Sequence, residues 1–160
     1  MSNPLRAPAM DPDTLEPRIG STYPKEYQKQ VAGRRKRTLG DPLGLTHYGV
    51  NLVELAPGAW SSQRHWHSAE DEFVYVVSGQ ITLVTDGGPQ ILRAGMVAGF
   101  PAGTADGHHL INEGKEPAVY LEIGDRSDAD ACVYPDIDMQ LTSPAEGQEF
   151  QHRDGRPYRD

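Results

Sequence analysis

Apolar and polar residues alternate with a period near two from residue 46 to residue 123, in short runs separated by glycine. This period is typical of strands that bury one face, whereas an amphipathic helix repeats every three to four residues. Pairs such as Ser78-Gly79 and Ala94-Gly95 stand between the runs, where tight turns favour glycine. The predicted strands are 46–55, 60–67, 72–78, 80–85, 90–92, 96–100, 108–112 and 118–123. Strands this short and this closely spaced predict an all-β barrel or sandwich.

The segments on either side of this region lack the alternation. Four prolines interrupt residues 1–23, which are predicted to form an irregular arm, and a short helix is expected over 24–31. The polar C-terminal segment is expected to lie across the barrel on its apolar and aromatic side chains. These anchors are Tyr134, Ile137, Met139, Phe150 and Tyr158. The predicted organisation is an N-terminal arm packing on the barrel (1–44), a barrel (45–125) and a C-terminal tail (126–160).

Charge argues against a nucleic-acid partner. The 160 residues carry a formal net charge of −8, and binding along phosphates needs a basic contact face. The one basic run, 34–37, is predicted to be a solvated loop, with a contact to phosphate or carboxylate as the alternative. A DNA-binding helical module does not fit into the proline-rich region before residue 45.

Cys132 is the single cysteine, so an intramolecular disulfide is impossible. The first 20 residues have no apolar stretch that would indicate a signal peptide, and no segment approaches the roughly 20 apolar residues of a membrane span. We therefore expect a soluble cytoplasmic protein with no membrane partner.

His65 and His67 are two residues apart on a predicted strand, so both side chains point to one face at a spacing of about 6.6 Å. Glu72 begins the next predicted strand and reaches the same point if the two strands pair across the turn at 68–71. Polar groups on the inner face of a barrel need partners. Imidazole and carboxylate groups bind divalent transition metals, and the pattern therefore predicts a metal site.

A second segment, 95–112, contains the pair His108-His109. On a strand, His108 shares one face with Asn112, whereas His109 lies on the opposite face. Only one of the two histidines is therefore expected to point inward.

These two segments resemble the two sequence motifs of the cupin superfamily. The first motif is G-x5-H-x-H-x3/4-E-x6-G, and its counterparts here are His65, His67, Glu72 and Gly79. The second is G-x5-P-x-G-x2-H-x3-N, whose first part is matched by Gly95, Pro101 and Gly103. Counting back from Asn112 by the H-x3-N spacing selects His108 over His109. The region 80–94 between the motifs is as short as in the small single-domain cupins of bacteria.

The chain departs from the family pattern in two loops. Six residues rather than five separate Gly58 from His65, and four rather than two separate Gly103 from His108. The loop before the fourth ligand is therefore longer than in the family motif.

The resemblance implies a double-stranded β-helix, or jelly-roll, barrel that holds one divalent transition metal on His65, His67, Glu72 and His108. Manganese, iron, nickel, cobalt and zinc all suit these donors. It also implies an enzyme that acts on a small, oxygen-rich molecule, of the sugar or sugar-phosphate isomerase type. Two alternatives stay open: a non-haem metal-dependent dioxygenase, and a non-catalytic barrel that binds or senses a small molecule.

An isomerase needs a base that moves a proton, and the candidates are Glu70, His109 and Glu122. The candidate polar residues of the substrate pocket are Ser61, Gln63 and Asn112. Several convergent polar side chains would favour a sugar-like substrate, whereas an apolar pocket would favour dioxygen chemistry or sensing. His47 and His152 lie outside both motifs and are expected to have no role at the site.

The resemblance also implies a homodimer, because small cupin barrels often pair through their outer strands. Phe73, Tyr75 and Val77 alternate with the inward residues of their strand and so lie on its outer face. Packing of these side chains under the N-terminal arm is the alternative.

Overall fold

The structure is a computed structural model that describes residues 5–142 and 149–159. Its strands are β1 (Arg18–Ile19), β2 (Arg34–Thr38), β3 (Tyr48–Leu55), β4 (Trp66–His67), β5 (Glu72–Ser78), β6 (Gln80–Thr85), β7 (Gly88–Arg93), β8 (Val97–Phe100), β9 (His109–Ile111), β10 (Ala118–Asp125), β11 (Ala131–Tyr134), β12 (Met139–Thr142) and β13 (Glu149–Gln151). Single-turn 3₁₀ helices lie at Pro12–Thr14, Lys25–Tyr27 and Lys29–Val31. The all-β prediction is confirmed. Over the described ranges, no helix is long and apolar enough to cross a membrane.

Two sheets enclose the barrel interior. One contains six strands in the order β1-β2-β3-β10-β5-β8, and the other has the order β7-β6-β9. Alternate residues of these strands point inward and form the main apolar core, as a period of two requires. The buried members of this core are Val53, Leu55, Ala59, Val74, Val76, Ile81, Leu83, Leu110, Ala118 and Tyr120. Two packed antiparallel sheets around one core make the jelly-roll barrel expected from the resemblance.

The basic run does not form the predicted loop. Its residues belong to β2, which pairs with β3 and places Arg34 opposite Leu55 and Lys36 opposite Val53. Since Leu55 and Val53 are fully buried, Arg34 and Lys36 share the inward face of the sheet. The intervening Arg35 lies on the outer face. Alternation along a strand therefore brings two cations to the barrel interior.

The C-terminal segment forms strands of its own. The third sheet has the order β13-β12-β11-β4, so the short strand β4 pairs with β11, and His67 lies opposite Cys132. The predicted anchors of the tail all belong to a second apolar core, which also contains Tyr23 and Val31 of the N-terminal segment. The segment that contains Tyr23 and Val31 therefore packs against the C-terminal strands beside β4.

Candidate metal centre and cavity

The two motif segments bring four side chains to one point. His65 and His108 face each other in an isolated antiparallel bridge, while His67 ends β4 and Glu72 begins β5. Glu72 Oε2 lies 2.8 Å from His108 Nε2, and 3.6 Å from the Nε2 atoms of both His65 and His67. The structure places His108, rather than His109, at this point.

The outer nitrogens of two of these rings are held by acceptors. His67 Nδ1 lies 2.6 Å from Asp130 Oδ2, and His65 Nδ1 lies 2.9 Å from the carbonyl oxygen of Gln63. A proton on Nδ1 completes each hydrogen bond and leaves the lone pair of Nε2 facing the centre. Such outer partners fix the tautomer and orientation of metal-binding histidines.

His108 is positioned by packing instead. Its ring stacks on Phe100, with ring centroids 3.5 Å apart and an angle of 3° between the planes. Its Nδ1 atom is buried and has no hydrogen-bond partner among the described residues. The ring is thus held edge-on to Glu72 by Phe100, with only Nε2 directed at the centre.

The donor set fits one divalent transition metal. Metal–nitrogen bonds of about 2.0–2.1 Å place neighbouring ligands of an octahedral ion about 3 Å apart. The distances of 2.8 and 3.6 Å from Glu72 to the histidines lie on either side of this value. Three neutral imidazoles and one carboxylate also match the ligand preference of these ions.

Charge at the centre is compatible with a cation. Burial alone would raise the pKa of Glu72, but hydrogen bonds with His108 and His65 and the nearby imidazoles hold it well below its ordinary value. Burial lowers the pKa of His108, whereas the burial of His65 is outweighed by the hydrogen bond with Glu72 and its charge, so that the pKa of His65 is raised. Metal binds deprotonated ligands, so a bound cation would displace any proton held at the centre.

The centre lies in the wall of a large cavity of about 1060 Å³. The cavity is unusually polar for the inside of a barrel, and its lining includes Arg34, Lys36, Asn51, Ser61, Glu70, Tyr120, Glu122, Arg126 and Tyr134. Arg126 and Asp128 are exposed, whereas Arg34, Ser61 and Tyr120 are buried. The cavity therefore has an open end near Arg126 and Asp128 and a buried end near Arg34, Ser61 and Tyr120.

Glu122 occupies the middle of this cavity. Gly124 lies opposite Glu72 in the pairing of β10 with β5, so Glu122 is one inward step, about 6.6 Å, further along β10. Lys36 Nζ lies 2.6 Å from Glu122 Oε1, and Asn51 Nδ2 donates to the same oxygen at 3.1 Å. Burial would raise the pKa of Glu122, but Lys36 outweighs it and the pKa is lowered. An ionised carboxylate with a second oxygen thus lies close to the metal centre.

Comparison with known proteins identifies the family. A family model described as the cupin domain matches residues 51–124. The chain is also similar to a solved structure from Silicibacter pomeroyi, a sugar phosphate isomerase from a cupin superfamily. The two are 43% identical, with a TM-score of 0.91 over 95% of this chain and 97% of that chain. This chain belongs to the cupin superfamily.

Two other similar solved structures have lower sequence identity to this chain. A protein of Acidithiobacillus ferrooxidans, provisionally assigned as a sugar phosphate isomerase, is 34% identical over 79% of this chain and 81% of that chain, with a TM-score of 0.71. The polyketide cyclase RemF of Streptomyces resistomycificus is 18% identical over 75% of this chain and 80% of that chain, and its TM-score of 0.62 reflects a shared fold. No curated protein sequence matches the chain significantly.

Three of the candidate residues lie outside the cupin cavity. His109 is buried on the far side of its strand, where its ring packs against Trp60 and Nδ1 lies 3.2 Å from the carbonyl oxygen of Ser62. Gln63 donates to the carbonyl of Tyr27 in the N-terminal segment.

Asn112 is fully buried and joins β9 to the following turn. Its amide donates to the carbonyls of Leu55 and Glu116 and accepts from the N–H of Gly114. These hydrogen bonds give Asn112 a structural task in the barrel wall, away from the cavity.

The other candidates do line the cavity. Ser61 Oγ accepts from the N–H of Leu110 at the buried end. Glu70 lies near the metal centre, with Oε2 3.9 Å from His67 Nδ1, and accepts from the N–H of Ser127. Glu122 is the candidate base that combines a place in the cavity with a hydrogen-bonded cation.

Sequence reasoning did not find the residues that support this site. Lys36 and Asn51 reach Glu122 because β2, β3 and β10 lie side by side, and Asp130 reaches His67 because β11 pairs with β4. Alternate residues of a strand at 34–37 would place Arg34 and Lys36 on one face and Arg35 on the other. Because all four residues are basic, the sequence shows no alternation between polar and apolar residues that would indicate this strand.

Proposed function

We propose that the protein is a metal-dependent isomerase that interconverts the aldose and ketose forms of a sugar phosphate. The observation that carries this proposal is the ionised Glu122, placed one inward step along β10 from the position opposite Glu72. Proton transfer between neighbouring carbons needs such a base close to the point where the substrate's oxygens are held. The similarity to sugar phosphate isomerases at 43% and 34% identity supports the same substrate class.

In this proposal His65, His67, Glu72 and His108 hold one divalent manganese, iron, cobalt, nickel or zinc ion. When bound, the ion would act as a Lewis acid that polarises the sugar's carbonyl group and acidifies the neighbouring C–H bond. The four side chains fix the position of the reacting end of the substrate.

Glu122 is assigned the proton transfer. Its carboxylate takes the proton from carbon 2 of the aldose and returns a proton to carbon 1, while the hydroxyl proton on carbon 2 passes to the oxygen on carbon 1, so that the sugar is isomerised with no net oxidation or reduction. Lys36 and Asn51 hold Oε1 and leave Oε2 for the substrate. Glu70 is the alternative base: burial raises its pKa, its Oε1 accepts the N–H of Ser127, and its Oε2 lies beside the ligand His67. We favour Glu122 because it lies along the cavity from the metal centre, where the sugar chain would extend.

The polar lining supports a sugar-like substrate over the dioxygenase and sensing alternatives. Dioxygen chemistry requires only the metal ligands and an accessible position on the metal. This cavity adds two inward cations, a carboxylate, an amide and a hydroxyl, which together suit the many oxygens of a phosphorylated sugar. These groups are Arg34, Lys36, Glu122, Asn51 and Ser61.

Hydrogen exchange tests the proposed reaction directly. The full chain, loaded in turn with each candidate metal, is incubated in D₂O with aldose phosphates of three to seven carbons and followed by proton NMR. We expect one substrate to form its ketose with deuterium at carbon 1, because Glu122 exchanges the abstracted proton with solvent before a hydrogen is returned. Absence of both changes with every metal and sugar would contradict the proposal.

We also propose that a second copy of the chain covers the outer face of β5. Phe73, Tyr75 and Val77 are each at least 40% exposed there, and β8, the edge strand beside them, adds the exposed Val97. Phe73→Glu is expected to convert a dimer into a monomer, since a carboxylate in an apolar interface would be desolvated. Light scattering measures the mass, and an unchanged mass for the variant would contradict the interface.

A further inference from the structure

The inward cations of the barrel differ in one respect that bears on the substrate. Three members of the basic strand β2 form ion pairs, namely Arg35, Lys36 and Arg37, and their partners are Glu54, Glu122 and Asp13. Arg34 forms no ion pair among the described residues, although it is 8% exposed and lines the cavity; it acts on Glu122 only at longer range, and Glu122 is already paired with Lys36. A buried guanidinium without a counter-charge is costly for a fold, unless an anion occupies the site.

The guanidinium of Arg34 is fixed in place and only partly used. Its Nε donates to the carbonyl of Gly20 at 3.2 Å, and its Nη1 donates to the carbonyl of Ser61 at 2.6 Å. Arginine carries five N–H donors in a planar fork. The two carbonyls use two of these five donors, and Nη2 has no hydrogen-bond partner among the described residues.

A second unused donor lies at the same end. The hydroxyl of Tyr120 is fully buried and lines the cavity. Ser61 lies nearby, but the hydroxyl makes no hydrogen bond of ordinary geometry within the described residues. Burial raises the pKa of Tyr120 well above its ordinary value, with Arg34 and Ser61 acting in the opposite direction. The hydroxyl therefore stays protonated, and a buried O–H without an acceptor is a rare feature that a ligand would explain.

We propose that Arg34 and Tyr120 form the subsite that binds the phosphate group of the substrate. Tyr120, Glu122 and Gly124 follow one another at inward positions of β10, and Gly124 lies opposite Glu72. Four residues of strand span roughly 13 Å, so the metal centre and the subsite are at opposite ends of the cavity with Glu122 between them. This assignment rests on the proposed isomerase function for the sugar part of the ligand, and it orients that sugar with its phosphate at the buried end.

The other cations of the cavity are less suited to this task. Lys36 is already neutralised by Glu122, and Arg126 at the open end pairs with Asp41. A planar guanidinium binds two phosphate oxygens at once, and burial strengthens those charge-assisted hydrogen bonds. Arg34 is therefore the cation in the described lining that is buried, has N–H donors without a hydrogen-bond partner and forms no ion pair.

Inorganic phosphate is the probe that tests the subsite without the isomerase reaction. Binding is measured by calorimetry on the full chain, dialysed against chelator, for the wild type and for Arg34→Gln, Tyr120→Phe, Arg35→Gln and His65→Ala. We expect the dissociation constant for phosphate to rise by about tenfold or more in Arg34→Gln and by several-fold in Tyr120→Phe. Each variant loses a hydrogen bond to a charged group. Arg35→Gln, on the outer face, and His65→Ala, at the metal centre, are expected to bind like the wild type.

Tyr120→Phe keeps the test valid if Arg34→Gln fails to fold. Phenylalanine keeps the buried ring, and removal of the hydroxyl breaks no hydrogen bond of ordinary geometry within the described residues, so this variant is expected to fold. A wild type that does not bind phosphate, or a folded Tyr120→Phe variant with unchanged binding, would overturn the subsite. Phosphate binding without hydrogen exchange on any sugar would contradict only the isomerase proposal, whereas hydrogen exchange without phosphate binding would contradict only the subsite.

Discussion

Replacement of His65 or Glu72 by alanine is expected to abolish stoichiometric metal binding. Each residue supplies one of four donors that meet within 3.6 Å of Glu72 Oε2, and a three-donor remnant holds an ion far less tightly. The loss should exceed the roughly 10- to 100-fold weakening that removal of an outer hydrogen-bond partner causes. Elemental mass spectrometry on protein purified without chelator or affinity nickel measures the content, and the identity of the metal also bears on the chemistry.

Two further variants calibrate this result. Asp130→Asn removes the charged acceptor at His67 Nδ1 and keeps one oxygen for the N–H of Ala69 and the hydroxyl of Ser68. The metal affinity of this variant should fall by roughly 10- to 100-fold while the ion stays detectable. His47→Ala changes an exposed histidine outside the site and should retain the metal fully. A wild type that takes up none of the candidate metals, or equal metal content in His65→Ala, would contradict the assigned ligands.

Glu122→Gln is expected to lower kcat by roughly 10²- to 10⁴-fold, the usual contribution of a general base. The amide keeps the size of the side chain and cannot accept the carbon-bound proton. Lys36 would lose its counter-charge in this variant, so KM and the melting temperature are measured with kcat. Metal content should stay unchanged, because Glu122 is not among the assigned ligands.

Glu54→Gln is the matched control for this variant. Glu54 lies on the outer face of β3 and pairs with Arg35 across the surface, so its replacement removes the same charge from the chain without touching the cavity. We expect wild-type kcat for Glu54→Gln. If the Glu122→Gln variant exchanges substrate hydrogen at the wild-type rate, Glu122 is not the base and another residue must transfer the proton.

The strand boundaries were predicted best where a glycine turn separates two consecutive strands. β5 and β6 begin and end where predicted, because Gly79 between them has a φ of 77°, a conformation that other residues rarely adopt. The strand expected over 60–67 is shorter, since only Trp66–His67 pairs as β4. Ser61 and Gln63 lie in a buried bend, where Ser61 Oγ accepts from the backbone N–H of Leu110 and the Gln63 amide donates to the carbonyl of Tyr27.

Long-range pairing explains what sequence reasoning missed. No short turn connects β4 to β11, so nothing local in the sequence predicts that they pair. The residues between the two strands make up more than half the length of the barrel sequence. The metal ligands could be predicted from local spacing alone, because His65 and His67 share one strand face. Their supporting residues Lys36 and Asp130 depend on the register between strands far apart in the chain.

The pairing of β4 with β11 has a consequence for recombination and domain grafting. The matched cupin domain ends at residue 124, whereas Asp130 and the strand opposite His67 come after it. A chimera that exchanges only residues 51–124 would inherit all four metal-binding side chains from the donor. It would take the orientation of the His67 ring from the recipient, so that metal affinity in such a chimera would be determined jointly by both parents.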